Sequence, residues 1–270
     1  MGADPEIRFL LSDVDGTLVR SDKSLSDATV AAIGRLRDAG IHFAVTSGRP
    51  PKGMEMLVEP LALVTPMAAF NGGEFVTPQL EPIETRVIED AFVPGIIELI
   101  DSFGLDAWVY SGADWFVLDS DGYHVDVEAS TVQFQPTQVA SFSGIDSVAK
   151  VVGVGEDHDA VARAEAAARE KFGSEVSAAR SQPYYLDVTH PDANKGGALQ
   201  YLADRYDIAP ESFATIGDMP NDVLMFARGG LGIAMGNAGR DVQRAARHVT
   251  LSNDDDGVAH AIDRFILGAS

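Results

Sequence analysis

The chain has no cysteine among its 270 residues, so neither a disulfide framework nor a thiolate metal site can form. It is also poor in basic residues, with 20 Lys and Arg against 41 Asp and Glu and a formal net charge of −21. Because nucleic acids are bound largely through Lys and Arg on their phosphates, we expect no nucleic-acid partner. No apolar run approaches the length of a membrane span, so we expect no membrane partner either.

The N-terminal segment 1–6 lacks the basic and apolar regions of a signal peptide. Together with the missing cysteines, this predicts a cytoplasmic protein, and we expect a monomer or a weak homo-oligomer. The acidic charge means that a phosphorylated partner would have to be held by local donors against an unfavourable overall field. The length suits more than one ordinary domain.

Two aspartates, Asp13 and Asp15, follow the apolar run 7–11 and precede Gly16. A short apolar run closed by glycine is typical of a buried parallel strand, and ligands of open α/β sheets bind where such strands end. Alternate residues of a strand project to the same side, so the two carboxylates would be costly together without a nearby cation. The pair Asp15-Gly16 is equally typical of a hairpin turn, so this segment alone leaves a metal site and a turn as alternatives.

Short strands and helices alternate at both ends of the chain, which predicts a parallel sheet with right-handed crossovers. Ser26 can cap the first helix, and Gly40 can end it. The predicted strands are 7–11, 41–46, 67–70, 213–216, 231–234 and 248–251. The predicted helices are 27–39, 52–58, 196–206, 222–228, 241–247 and 258–267.

The middle of the chain breaks this alternation. Neighbouring strand-like runs joined by tight turns indicate an antiparallel sheet with helices packed on it, an α+β unit. Its predicted strands are 107–110, 115–118, 148–154, 175–179 and 184–188, and its predicted helices are 92–103 and 158–172. We therefore predict a Rossmann-like α/β core with a parallel sheet, formed by 1–83 and 189–270, and an inserted α+β domain at 84–188.

Four polar features lie at the end of a predicted strand or the start of a helix, and in a doubly wound sheet such positions meet at one edge. Carboxylates such as Asp13 and Asp218 are hard oxygen ligands suited to Mg²⁺, and the hydroxyl and backbone N–H groups after Thr46 can hold an anion. Lys195 adds a compact positive charge. Together they form a plausible phosphoryl-transfer site, with a carboxylate able to act as nucleophile. Taken alone, Thr46–Arg49 is typical of a helix cap, Lys195 of a surface lysine, and Gly217-Asp218 of a turn. The four features are Asp13-x-Asp15, Thr46-Ser47-Gly48-Arg49, Lys195, and Gly217-Asp218 with Asn221-Asp222.

This ordered set of motifs resembles the haloacid dehalogenase (HAD) superfamily. Within it the chain resembles the Cof-type phosphatases, in which a larger α+β cap is inserted between the second and third motifs. The segments Asn71-Gly72-Gly73, Asn194-Lys195-Gly196 and Gly217–Asp222 also match that subgroup, over residues 7–83 and 189–267. One departure is Met219-Pro220, where many relatives have Asn-x; it leaves the flanking polar residues intact.

The resemblance implies the roles of the carboxylates. Asp13 takes the place of the nucleophile, which becomes an aspartyl phosphate, and Asp15 that of the general acid/base. The Mg²⁺ ligands would be Asp13, the backbone carbonyl of Asp15, and Asp218. Asp222 would support the metal shell.

The resemblance also implies a set of phosphate-binding and substrate-binding residues. Thr46 and Lys195 would hold the phosphoryl oxygens and stabilise the charged transition state. Asn221 would contact the phosphate or Lys195. The remaining substrate-facing positions are Ser47, Gly48, Arg49 and Asn71.

The function that follows is a Mg²⁺-dependent phosphatase acting on a small phosphorylated metabolite, with a sugar phosphate as the expected substrate. The cap would close over the site, exclude water and select the leaving group. One alternative is a phosphotransferase or phosphomutase, and another is a non-catalytic sensor of a phosphorylated metabolite. Retention of both Asp13 and Asp15 argues against a sensor, since a binding module needs no general acid. A receiver domain also uses an aspartate and Mg²⁺, but it does not need the insertion.

Two further patterns are interpreted as structural. Asp254–Asp256 precedes a helix and is interpreted as a solvated charge run that favours the helix dipole. Trp108, Tyr110 and Trp115 alternate as residues of a sheet do, and they are expected in the core of the cap. Three other cap residues are candidates for substrate contacts: Tyr123, His124 and Arg180.

Overall fold

A computed structural model describes residues 6–268. The segment 1–5, most of the stretch in which no signal peptide is expected, lies outside the described residues. Between residues 6 and 268, each helix is too short or too polar to cross a bilayer.

Fourteen strands and nine α-helices are present within that range. The strands are β1 (Phe9–Asp13), β2 (His42–Thr46), β3 (Met67–Ala69), β4 (Glu74–Val76), β5 (Pro82–Thr85), β6 (Asp106–Ser111), β7 (Asp114–Val117), β8 (Thr137–Gln138), β9 (Val148–Val154), β10 (Ser177–Gln182), β11 (Tyr185–Thr189), β12 (Phe213–Gly217), β13 (Leu231–Ala234) and β14 (His248–Val249). The helices are α1 (Asp27–Asp38), α2 (Val58–Leu61), α3 (Val93–Ser102), α4 (Val125–Val132), α5 (His158–Phe172), α6 (Lys195–Tyr206), α7 (Val223–Arg228), α8 (Arg240–Ala245) and α9 (Gly257–Ala261).

The first sheet contains eight strands in the order β14-β13-β12-β1-β2-β3-β4-β5. The six strands from β14 to β3 are parallel, and β4 and β5 extend the sheet as antiparallel strands. The central strand β1 is buried along its whole length, because it pairs with β12 on one side and β2 on the other. This explains its nearly continuous apolar sequence. The predicted α/β core sheet is confirmed.

The second sheet contains six strands in the order β10-β11-β9-β6-β7-β8. It is antiparallel except for the parallel pair β7 and β8. One face carries Val109, Val151 and Leu186, which form an apolar cluster with residues of α3 and α5. The division into 1–83 with 189–270 and 84–188 stays a prediction; β5 belongs to the first sheet and β11 to the second.

The other face of the second sheet packs against the first unit. Trp108, Tyr110 and Trp115 are each at most 2% exposed, so their predicted burial is confirmed. They share an apolar cluster with Met54 and Phe70 of the first unit. The rings of Phe70 and Tyr110 lie 5.6 Å apart, centroid to centroid. The second sheet therefore packs directly against the first unit.

Local signals placed several elements correctly. The Ser26 hydroxyl accepts a hydrogen bond from the backbone N–H of Thr29 and caps α1, and Gly40 follows with a φ of +75°. The helix predicted at 52–58 is instead a 3-10 helix, Pro51–Leu57, followed by α2. The helix predicted at 258–267 is divided between α9 and a π-helical segment, Ile262–Ile266.

The acidic run Asp254–Asp256 does more than carry solvated charge. Asp254 accepts hydrogen bonds from the backbone N–H and the hydroxyl of Ser21, at 2.9 and 2.7 Å. Asp256 pairs with Arg20 at 2.9 Å. The run thus also contacts the loop that follows the first motif, while Asp254 and Asp255 are exposed and α9 follows, as the sequence predicts.

Candidate active site

The carboxyl ends of three neighbouring strands bring the first and last thirds of the chain together. Asp13 is the last residue of β1, Thr46 the last of β2, and Gly217 the last of β12. Lys195 is the first residue of α6, whose N-cap Asn194 accepts a hydrogen bond from the backbone N–H of Gly197 at 2.9 Å. The predicted motifs therefore meet at one edge of the sheet, as the topology requires.

A buried ammonium lies between two carboxylates at this edge. The Nζ atom of Lys195 is 2.6 Å from an oxygen of Asp13 and 2.6 Å from an oxygen of Asp222. Lys195 is 1% exposed and Asp222 is fully buried. Burial alone would lower the pKa of Lys195, but the charges of Asp13 and Asp222 outweigh it and hold that pKa above its ordinary value. Lys195 is therefore positively charged at neutral pH.

The carboxylates outnumber the cation. Asp13, Asp218 and Asp222 each offer an oxygen within 4.8 Å of the others. Burial and the charge of Asp222 raise the pKa of Asp13 well above its usual range. The same two causes raise the pKa of Asp218 to about 6. Clustered carboxylates with raised pKa values are a donor set that a hard divalent cation would neutralise.

Asp222 uses both of its oxygens within the protein. One contacts Lys195, and the other accepts hydrogen bonds from the backbone N–H groups of Asp218 and Met219, at 2.9 and 2.8 Å. Asp218 in turn accepts a hydrogen bond from the Thr17 hydroxyl at 2.9 Å. Asp13 and Asp218 are thus better placed than Asp222 to hold an ion directly.

Two glycines permit this close approach. Gly16 has a φ of +75°, and a Cβ atom there would overlap the Asp218 carboxylate. A Cβ atom at Gly217 would overlap the side chain of Asp222. Glycine at these two positions therefore allows the carboxylates of Asp218 and Asp222 to approach the backbone this closely.

Asp15 is held by two cations. Arg49 binds both of its oxygens, at 2.7 and 2.8 Å, and Lys23 binds one of them at 2.7 Å. Burial would raise the pKa of Asp15, but Arg49 and Lys23 outweigh it and lower that pKa to about 2. In this arrangement Asp15 is a carboxylate, so it can accept a proton but has none to give.

The segment after β2 presents groups suited to an anion. The buried Thr46 hydroxyl has no hydrogen-bond partner among residues 6–268. The backbone N–H of Asn71, at a φ of +59°, donates to the Ser47 carbonyl at 2.7 Å. Asn221 donates from Nδ2 to Oδ1 of Asn71 at 3.4 Å, which brings these two predicted residues together.

A cavity of about 150 Å³ opens over these groups. Four predicted residues are not among those that line it: Thr46, Asn71, Asp218 and Asp222; Asn71 lines a different cavity. The predicted residues that line it are Asp13, Asp15, Ser47, Gly48, Arg49, Lys195 and Asn221.

Helix α4 and strands β9 and β11 contribute charged residues that the sequence analysis did not predict at the site. Glu128, Lys150 and Asp187 line the cavity, as does Trp108, which had been interpreted only as core. The available signal was a single charge inside an apolar strand, at Lys150 and again at Asp187. The suggested contacts are not among the lining residues: Tyr123 and His124 stack on each other at 4.0 Å between centroids, and Arg180 pairs with Glu165 at 2.9 Å.

Comparison with known proteins identifies the family. Residues 10–262 match the sequence pattern of the haloacid dehalogenase-like hydrolases. The chain belongs to this family. A 5-amino-6-(5-phospho-D-ribitylamino)uracil phosphatase of Bacillus subtilis is 26% identical over 270 residues, covering 98% of both chains. The resemblance to Cof-type phosphatases and the assignment as an enzyme of this hydrolase class are confirmed.

Solved structures of the family share the fold. A haloacid dehalogenase-like hydrolase from Bacteroides thetaiotaomicron has a TM-score of 0.85 at 30% identity, covering 96% of this chain and 99% of that one. A sugar phosphatase of HAD subclass IIB has a TM-score of 0.85 at 21% identity, covering 96% and 98%. The predicted α/β fold class is confirmed by these structures.

Proposed function

We propose that the chain is a Mg²⁺-dependent phosphatase that hydrolyses a sugar phosphate through an aspartyl phosphate on Asp13. The observation that carries this proposal is the buried contact of Asp13 with Lys195 at the floor of a cavity that Asp15 also lines. A nucleophilic carboxylate, a fixed positive charge and a second carboxylate are the groups that two-step phosphoryl transfer requires.

In the first step, a carboxylate oxygen of Asp13 attacks phosphorus and the bond from phosphorus to the leaving oxygen breaks. Protonated Asp15 gives its proton to that oxygen, and the alcohol leaves. In the second step, Asp15 takes a proton from water, whose oxygen attacks the phosphorus of the aspartyl phosphate. Inorganic phosphate and free Asp13 result. Thr46 and Lys195 would hold the phosphoryl oxygens throughout.

Asp15 must change partners to act as an acid. It is ionised while Arg49 and Lys23 hold it. Arg49 lines the cavity, so an entering phosphate dianion would compete with Asp15 for the guanidinium. Release from Arg49 would raise the pKa of Asp15 towards the range in which it can carry a proton. Substrate binding thus prepares the acid.

Asp13, Asp218 and the backbone carbonyl of Asp15 would hold Mg²⁺, with Asp222 behind them. When bound, this ion neutralises the clustered carboxylates and polarises a phosphoryl oxygen. The carboxylate-rich donor set fits a hard cation, and the acidic cluster supports the assignment. Ser47, Gly48, Asn71 and Asn221 would complete the phosphate side of the site.

A small leaving group fits the enclosure. The cavity of about 150 Å³ lies between the core and the proposed cap, 84–188, which supplies the wall opposite Asp13. One relative is named for a substrate that carries phosphate on a ribityl chain, and one structural relative is named a sugar phosphatase. Both names support a polyhydroxylated phosphate ester.

The test is release of inorganic phosphate from a panel of small phosphate esters, with Mg²⁺ and with a chelator. We expect metal-dependent release by the native chain and none by Asp13→Asn. Asp38→Asn, a change at an exposed aspartate at the end of α1, is the matched control and should match the native rate. Native-like turnover by folded Asp13→Asn would disprove the nucleophile. A phosphorylated acceptor with little free phosphate would identify a phosphotransferase instead.

A further inference from the structure

The face of the second sheet that lines the cavity carries a charged residue where an apolar one would be expected. Strands β6, β9 and β11 run side by side, with Trp108 opposite Val152 and Val152 opposite Asp187. Residues at these paired positions share one face of the sheet. Val151 and Val188 point the other way into the apolar cluster with α3 and α5. A carboxylate is therefore built into the middle of an otherwise apolar strand and faces the cavity.

Asp187 is buried and incompletely paired. It is 6% exposed, and its Oδ1 atom has no hydrogen-bond partner among residues 6–268. Its ion pair with the Nζ atom of Lys150 is 3.8 Å long. A buried carboxylate oxygen without a donor is unfavourable, so a donor from a ligand would stabilise it.

Lys150 is already committed elsewhere. Its Nζ atom donates to the backbone carbonyl of Gly48 at 3.0 Å and lies 4.8 Å from the centroid of the Tyr110 ring. It is 4% exposed. Lys150 therefore joins β9 to the segment after β2, and it shares its positive charge with Asp187.

Three more groups complete the wall. Glu128 of α4 lines the cavity and accepts a hydrogen bond from the Tyr110 hydroxyl at 3.0 Å. The buried Tyr185 hydroxyl has no hydrogen-bond partner among residues 6–268. The indole of Trp108 adds a flat apolar surface. Carboxylate acceptors, a phenol and an aromatic face together match the hydroxyl groups and C–H faces of a polyol.

We propose that Asp187, Glu128 and Tyr185 form a subsite that binds the hydroxyl groups of the leaving group and excludes a second negative charge. The substrate class is the monophosphate of a neutral polyol or monosaccharide. The cavity of about 150 Å³ is smaller than the pockets of roughly 300–1,000 Å³ that hold drug-sized ligands, which favours a compact leaving group. This inference rests on the phosphatase function proposed above and adds the residues that choose the leaving group.

The first experiment compares two kinds of ester on each variant. The probes are sorbitol 6-phosphate and phenyl phosphate, whose leaving group has no other hydroxyl. In Asp187→Ala we expect the ratio of kcat/KM for sorbitol 6-phosphate to that for phenyl phosphate to fall on the order of ten- to a hundredfold. Tyr185→Phe, which removes only one oxygen, should lower the ratio several-fold. Asp114→Ala, at an exposed aspartate of β7, should leave both values unchanged.

The second experiment tests charge exclusion with a matched pair, sorbitol 6-phosphate and 6-phosphogluconate, which differ by a carboxylate at the far end. The native chain should prefer the neutral ester by roughly tenfold or more, because like charges brought together in the cavity repel. In the double variant Asp187→Asn/Glu128→Gln, which keeps side-chain size, this preference should shrink several-fold. Thermal denaturation shows whether each variant is folded.

The outcomes separate the two proposals. Hydrolysis of phenyl phosphate with a ratio that changes in neither Asp187→Ala nor Tyr185→Phe would overturn the subsite and leave the proposed phosphatase function standing. An equal rate on both members of the charged pair would overturn charge exclusion. Failure of the folded native chain to hydrolyse any of the three esters with Mg²⁺ would overturn the proposed function itself.

Discussion

Lys195 is the residue on which the charge balance of the site depends. It is buried and lies 2.6 Å from both Asp13 and Asp222. Removing one partner of a buried ion pair leaves the other charge without compensation, which costs far more than an exposed pair is worth. Asp222 binds both Lys195 and the backbone N–H of Asp218, so we expect it to affect the reaction through them.

Asp222→Asn tests this role. We expect the free energy of unfolding to fall by about 3 kcal/mol, because the amide cannot match both the ammonium and two backbone donors. Turnover should fall on the order of a hundredfold, since Lys195 loses the partner that positions it. Urea denaturation and phosphate release measure the two effects, with Asp38→Asn as control. A stable variant with native turnover would show that Lys195 is positioned by Asp13 alone.

Glu74 predicts a pH dependence of stability that lies outside the site. It is 5% exposed, its Oε2 atom lacks a partner among residues 6–268, and burial raises its pKa to about 7. A carboxyl whose pKa is higher in the folded than in the unfolded chain stabilises the fold at low pH, and that stability is lost as the pH rises towards the folded pKa.

We therefore expect the native chain to lose about 2 kcal/mol relative to Glu74→Gln between pH 4.5 and pH 7. Urea denaturation of both chains across this pH range measures the difference. Glu89→Gln, at an exposed glutamate, is the control and should run parallel to the native chain. A constant difference between native and Glu74→Gln would mean that the pKa of Glu74 is the same in the folded and the unfolded chain.

At the scale of elements, the turn after β12 fixes the distance between Asp218 and Asp222. Gly217→Ala would place a methyl group against Asp222, so we expect destabilisation of about 2 kcal/mol and a loss of turnover on the order of tenfold or more. Gly34→Ala is the contrasting control. Its Cβ atom would meet nothing within 4 Å in α1, and it should stabilise the chain by roughly 0.5–1 kcal/mol. Thermal denaturation with phosphate release tests both, and equal behaviour of the two variants would disprove the steric argument.

Sequence patterns predict an element well where local preference and tertiary packing agree. The bounds of β9, α5 and β13 are those predicted, because long apolar alternation, an Asp157 cap and flanking glycines mark them. Helix α4 was missed. It has only eight residues, three of its valines favour strands, and His124 and Gln133 at its ends have positive φ. Packing of Val132 against Gly53 of the core supports this helix, and no local pattern shows that contact.

The same contrast holds for the residues of the site. The order of the motifs predicted which residues of the first and last thirds meet, because strand ends of a parallel sheet share an edge. It did not predict the ion pair between Arg49 and Asp15, because that contact depends on the path of the chain between residues 49 and 53. Nor did it predict the wall formed by the second sheet. Its charged residues, Lys150, Asp187 and Glu128, lie far apart in the sequence and meet only when β9, β11 and α4 pack together.

At the scale of the whole molecule, the net charge of −21 opposes the approach of a phosphate dianion. We expect kcat/KM for a phosphate ester to rise about two- to fivefold between 10 and 150 mM NaCl at constant free Mg²⁺, because salt screens this repulsion. The value of kcat, measured in parallel, should change less. A fall of kcat/KM with salt would instead show that Arg49, Lys23 and Lys195 dominate the potential at the cavity mouth.

The pairing of β1 with β12 has a consequence for synthesis of the chain. Phe9 and Phe213 are register partners, so more than two hundred residues must leave the ribosome before the central strand has both of its neighbours. The strands of the second sheet all lie between Asp106 and Thr189. That sheet can therefore be complete before β12 has been synthesised to pair with β1. We expect nascent chains arrested before residue 213 to expose the apolar edge of β1 and to depend on chaperones. The wall of the cavity that the second sheet supplies would then form before the edge that carries Asp13 and Lys195.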